Sequence, residues 1–166
     1  GRLHAKSSYA TAIAAWILDR HGSETDLRGI ATRWQAQLLL PNKVYDDVIE
    51  TLTIHQKLFD WDSVGIASKK RIAQSEQCDG AMTILHAEDH SMFVHIRREI
   101  IELEKSGISP ERLINGHDLL EAGAKPSPEL GDILEAVYDA QLEGSVITRH
   151  EAITLALAIY RDSLDA

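Results

Sequence analysis

The sequence predicts an all-α protein, an irregular bundle of about eight helices joined by short turns. Apolar residues recur three and four positions apart along almost the whole chain, the spacing that gathers them on one helical face. No run of strict apolar and polar alternation, the mark of a half-buried strand, interrupts this pattern. Prolines, glycines and small polar residues fall between the periodic stretches, where helices start and stop.

In chain order the helices are expected over residues 7–20, 25–39, 42–58, 63–74, 79–105, 110–122, 128–142 and 149–164. Pro41 and Pro110 suit first-turn positions, where a missing N–H costs nothing. Ser109 before Pro110, and Ser127 before Pro128, offer hydroxyls to free amides of the turn that follows. Gly116 and Gly123 bracket a short amphipathic stretch with Leu119 and Leu120 inward. The next helix has Leu130, Ile133, Leu134, Val137 and Tyr138 on its apolar face, and Gly131 would let another backbone approach closely. Thr148 and Glu151 make a capping box for the last helix. Gly107 and Gly144 stand where helices end and a left-handed residue is useful. The weakest link is Lys105 to Pro110, so a boundary is placed between a body, residues 1–106, and a tail, residues 107–166.

A chain of 166 residues is long enough for a real core. No apolar run approaches the roughly 20 residues that span a bilayer, and the lone Cys78 cannot form an internal disulfide. Together these predict a cytoplasmic protein with no membrane partner. The start, Gly1-Arg2-Leu3, has no initiator Met and no leader pattern, so it is read as an internal cut or a tag remnant. The formal charge of -9 argues against general polyanion binding. Residues 1–96 hold 10 basic and 12 acidic groups, net -2, and residues 97–166 hold 7 and 14, net -7. Any nucleic-acid surface must be a local basic cluster on an acidic body.

Residues 114–153 carry a longer signature. Gly116, His117, Asp118, Leu119, Gly123, Pro126, Pro128, Gly131, Ile133 and Leu134 stand in an order that resembles the C-terminal region of tRNA nucleotidyltransferases, which include the bacterial poly(A) polymerases. The departure is Ser127, where that family commonly has Gly between the prolines. The stretches Arg33 to His55, Ala67 to Arg71 and Leu85 to Asp89 also resemble the family's order of elements. The segment from Ser8 to Arg20 resembles the end of its HD-type helical region, with Leu18-Asp19 where a His-Asp pair would stand; Leu18 cannot ligate a metal.

The resemblance implies the body and tail of such an enzyme, holding the acceptor and TψC side of tRNA beside the protein's own N-terminal catalytic head. Mg²⁺ and nucleoside triphosphates would be cofactors of the full-length enzyme's head. For this chain it implies no catalytic residue, no metal ligand and no cofactor of its own. The residues chosen as RNA contacts are Lys69, Lys70, Arg71, Arg97, Arg98, Lys125, Ser127 and Arg149. Arginine forks phosphate where geometry is fixed, and the turn at Ser127 to Glu129 offers unpaired amides to an anion.

Other patterns point elsewhere. His86 and His90, one turn apart with Glu88, Asp89 and His95 nearby, could assemble a Zn or Mn site, so a metal-dependent phosphohydrolase is one alternative. Asp60-Trp61-Asp62 mimics paired Mg carboxylates but lacks the Gly-Ser that precedes them in the family, and turn capping explains it better. Glu88-Asp89 begins an EDxxR signature whose Arg is replaced by Met92. Trp16, Trp34 and Trp61 read as core anchors. The acidic charge and the many apolar faces motivate the remaining alternative, a helical interaction or dimerisation module.

Overall fold

The computed structural model describes residues 8–22 and 26–164. Among the described residues it contains nine α-helices, one 3-10 turn and no strand. Contacts divide the chain into two compact units, 1–64 with 71–106, and 65–70 with 107–166.

The first unit holds α1 (Tyr9–His21), α2 (Leu27–Leu38), α3 (Asn42–Phe59), the 3-10 turn Trp61–Ser63, the end of α4 (Ile66–Gln74), α5 (Cys78–Glu88) and α6 (His90–Ser106). Helix α3 is its hub, packing against α1, α2 and α5, while α6 packs on α5. One cluster joins Ile13, Ile17, Ile30, Val48, Leu52 and Ile84, and another joins Leu58, Trp61, Met82, Leu85, Ile96 and Ile100. Ser8 Oγ accepts from Thr11 N–H at 3.1 Å, and Asp26 Oδ1 from Gly29 N–H at 2.9 Å, which caps α1 and α2. His55 is 1 % exposed, and its Nε2 lies 2.7 Å from Glu88 Oε2, tying α3 to the end of α5.

Two boundaries differ from expectation. The single helix predicted over 79–105 is broken at Asp89, whose backbone is extended (φ -139°, ψ 96°). One residue finishes both helices: Asp89 N–H donates to Leu85 O at 2.7 Å, and its Oδ1 accepts from Met92 N–H at 2.9 Å. An aspartate serving its own backbone competes with the helix interior. Pro41 lies one residue before α3, as its cap rather than in its first turn.

The second unit holds the start of α4, then α7 (Gly116–Glu121), α8 (Glu129–Glu143) and α9 (Arg149–Leu164). Ile114, Leu119, Ile133, Val137, Val146, Ala152 and Ala156 form its core, and Ala67, Tyr138 and Leu142 form a satellite. The expected helix over 110–122 shrinks to α7, because side chains of α8 hold the preceding segment out of helical form. Tyr138 OH donates to Pro110 O at 3.3 Å, Gln141 Nε2 donates to Glu111 O at 2.7 Å, and Gln141 Oε1 accepts from Leu113 N–H at 3.2 Å. Pro110 is therefore not a helix starter, and Ser109 caps nothing there.

The box at Thr148 and Glu151 forms: Glu151 N–H donates to Thr148 Oγ1 at 3.2 Å, and Glu151 Oε2 accepts from Thr148 N–H at 3.0 Å. Ser127 does not repeat the device. Its Oγ is buried without a hydrogen bond of normal geometry, although its nearness helps hold the Glu129 carboxyl below the ordinary range. It makes a contact rather than a cap.

Asp118 and Glu151 are held low as well, Asp118 by the Asn115 N–H and then Arg149, and Glu151 by the Ile147 and Thr148 N–H groups. A carboxyl with a depressed folded pKa stabilises the fold above its unfolded value, about 3.9 to 4.3, and loses that contribution as pH falls through the folded pKa. The unfolding temperature should therefore drop as pH falls below about 4. Glu151→Gln should flatten part of that drop, and equal unfolding temperatures at pH 7 and pH 3 would contradict the assignment.

Candidate functional site

In the second unit the Gly116-His117-Asp118-Leu119 stretch is a built corner. Asn115 Oδ1 accepts from the His117 and Asp118 N–H groups at 2.8 and 3.3 Å, while Asp118 Oδ2 accepts from Asn115 N–H at 2.7 Å. The other oxygen of Asp118 takes a hydrogen bond from Arg149 Nη2, the first residue of α9. A single carboxylate thus closes α7 and ties it to α9. Leu119 is buried beneath it. Gly123 follows at φ +100°, a conformation that a Cβ would strain.

The cations chosen from sequence take different roles. In the second unit Lys69 is only 9 % exposed, and Lys70 Nζ donates to Leu142 O at 2.8 Å. Arg149 remains more than half exposed although paired with Asp118. Lys125 is exposed, its backbone N–H fixed to Tyr160 OH at 3.1 Å. Arg149 begins α9 and Tyr160 lies eleven residues along it, so Lys125 and Arg149 flank that helix on the order of 15 Å apart and do not converge. In the first unit Arg71 is half-buried. Arg97 Nη1 lies 3.7 Å from Asp79 Oδ1, and the neighbouring Arg98 is exposed. Consecutive helical residues point about 100° apart, so neither the Lys69 to Arg71 run nor the arginine pair forms a one-faced patch.

Arg112 was not singled out from sequence. It is exposed, bonds Glu135 through Nη2, and lies 4.3 Å over the Tyr138 ring. Only its charge could have signalled it. Gly131, expected to admit a neighbouring backbone, has no described atom within 4 Å of where a Cβ would stand. Trp61 is a core anchor as expected, but Trp16 is 52 % exposed and packs against Trp34 with tilted rings whose centroids are 4.2 Å apart. The chain's Leu18 is a buried apolar residue of α1. The His86 and His90 rings lie tilted with centroids 4.9 Å apart and Phe93 against His86, and the Asp89 carboxylate is occupied at the start of α6. Cys78 is buried in the core, and burial pushes its thiol up to about 11, out of reach of ordinary nucleophilic chemistry.

A family model described as tRNA nucleotidyltransferase domain 2 matches residues 15–157. The chain belongs to the tRNA nucleotidyltransferase domain 2 family. The match spans both units, so the helices of the first unit belong to the tRNA nucleotidyltransferase domain as much as the corner at Gly116 does. Neither a curated protein nor a solved structure matches the chain. Among the described residues of this tRNA nucleotidyltransferase domain, no helix is long and apolar enough to cross a membrane.

Proposed function

We propose that this domain holds the acceptor and TψC side of a tRNA while an N-terminal head of the same cytoplasmic protein adds nucleotides to the 3' end. The family match carries this reading. In it, residues 1–106 act as a helical body and residues 107–166 as a tail. Mg²⁺ and nucleoside triphosphates belong to the head, and the chain by itself transfers nothing. The same reading covers CCA-adding enzymes and poly(A) polymerases.

The phosphate contacts fall to cations that remain exposed: Arg98 and Arg97 on α6, and Lys125 and Arg149 at the two ends of α9. Lys70 and Lys69 serve the fold of the second unit instead. The turn entering α8 offers the positive end of a helix dipole, with Lys125 just outside, while its Leu130 and Gly131 amides already donate to the Ser127 and Pro128 carbonyls. Binding of tRNA by the head-containing protein at low salt tests the proposal, and its absence there would sink it.

Gly131 supplies a second handle. It sits in the first turn of α8 facing open space, so nothing described in the fold requires a glycine there. Gly131→Ala should raise stability by about 0.5–1 kcal/mol. A phosphate backbone that approaches α8 at this point would meet the new methyl group, so the same variant should bind tRNA more weakly. Stabilisation with unchanged tRNA affinity would remove α8 from the interface.

Exposed Trp16, lying against the partly buried Trp34, favours a second reading, an interaction or dimerisation module. Sedimentation separates the two, since a tight dimer that dissociates in Trp16→Ala supports the module.

A further inference from the structure

We propose that Asp62, His95 and Glu99 form a binding site for one divalent first-row cation of the Zn²⁺ class. His95 and Glu99 stand four residues apart on α6, which puts them on one helical face. The 3-10 turn Trp61–Ser63 brings Asp62 to that face. The ligand atoms of the three residues all lie within 4.8 Å of one another.

The distances favour a metal over an ordinary ion pair. His95 Nε2 is 3.4 Å from Asp62 Oδ1 and 3.4 Å from Glu99 Oε1. An N–H···O bond is typically about 2.7–3.2 Å long, and one ring nitrogen carries at most one hydrogen to offer the two carboxylates. The His95 contact to Asp62 is thus at most a long hydrogen bond, and the same nitrogen faces the Glu99 carboxylate as well. Zinc bonds of about 2.1 Å to imidazole nitrogen and carboxylate oxygen place neighbouring ligand atoms about 3.4 Å apart at a tetrahedral centre. Two of the three edges already have that length.

The carboxylate of Glu99 is also aimed. The indole of Trp61, itself 2 % exposed, donates from Nε1 to Glu99 Oε2 at 2.8 Å and leaves Oε1 on the side of His95. Such an outer partner fixes a metal ligand's orientation and raises its affinity. One imidazole and two carboxylates suit zinc or manganese better than the all-oxygen cages of calcium and magnesium. Three protein ligands leave a coordination position for water or an anionic oxygen. A cleft of about 200 Å³ lined by Phe59, Asp60, Asp62, Met92 and His95 opens beside it. His86 and His90, the pair that the sequence offered as ligands, contribute nothing to this set.

Titration calorimetry of the full chain with ZnCl₂ tests the site. The expected result is saturable uptake of one Zn²⁺ per chain, weakened at least about tenfold in His95→Ala and Glu99→Gln, and about 10–100-fold in Trp61→Phe. His86→Ala with His90→Ala should leave it unchanged. Co²⁺ should give the visible absorption of tetrahedral nitrogen and oxygen coordination, absent in His95→Ala. His95 is half exposed, so its replacement should preserve the circular dichroism of the helices even if Trp61→Phe does not fold. Lack of saturable uptake, uptake that survives His95→Ala and Glu99→Gln, or uptake lost with His86 and His90 instead would each overturn the proposal.

Discussion

Leu85→Ala should lower the stability of the first unit by about 2–5 kcal/mol, the range for emptying a fully buried leucine site. Leu85 is 0 % exposed and sits in the cluster that joins Leu58, Trp61, Ile96 and Ile100. Its loss removes the apolar transfer term and leaves a void between helices with their own buried partners on the far side, so collapse is limited. A domain's whole stability is about 5–15 kcal/mol, so this one truncation consumes a large share. Urea unfolding checks it: the midpoint should fall with little change in slope. Leu38→Ala, at an exposed position on α2, serves as the control and should shift stability by no more than about 0.5 kcal/mol. Equal effects at the two positions would mean that the core is wrongly drawn.

The second large effect is on tRNA binding by the head-containing protein. Each neutralised phosphate contributes about -0.7 to -0.9 to the slope of log K against log salt, which near 0.15 M corresponds to about fivefold in affinity per contact. Arg98→Glu combined with Lys125→Glu should therefore weaken tRNA binding by about 25-fold or more, since reversal adds repulsion to the lost contacts. The salt slope should fall by about 1.4–1.8. Both side chains are exposed, so helical content should not change. Lys69→Gln is the informative contrast, because a buried lysine acts through the fold. If the double reversal leaves both affinity and salt slope unchanged, these cations do not face RNA.

The all-α class was legible because helical periodicity survives almost everywhere along the chain. The family was legible because residues 114–153 fix glycines, prolines and a His-Asp pair in order. The break at Asp89 was not, because apolar spacing runs straight through it and only the side chain's bond to Met92 N–H ends the helix. The non-helical stretch before Asn115 depends on Tyr138 and Gln141, almost thirty residues away. The same blindness hid the relation of Asp62 to His95. Each residue was conspicuous alone, but they meet only because the turn at Trp61 folds against α6, a contact that no local pattern encodes. Charge, likewise, marked Lys69 and Lys70 without revealing that the first is buried and that the second serves the Leu142 carbonyl.

Residues 65–70 belong with the C-terminal helices, although they precede more than thirty residues of the other unit. A cut at residue 107 would therefore not release a whole tail. It would strip away Ala67, which packs with Tyr138 and Leu142, and the lysine that satisfies the Leu142 carbonyl. The tail is thus a poor candidate for shuffling between proteins as a self-standing module, and inheritance should keep both units as one cassette.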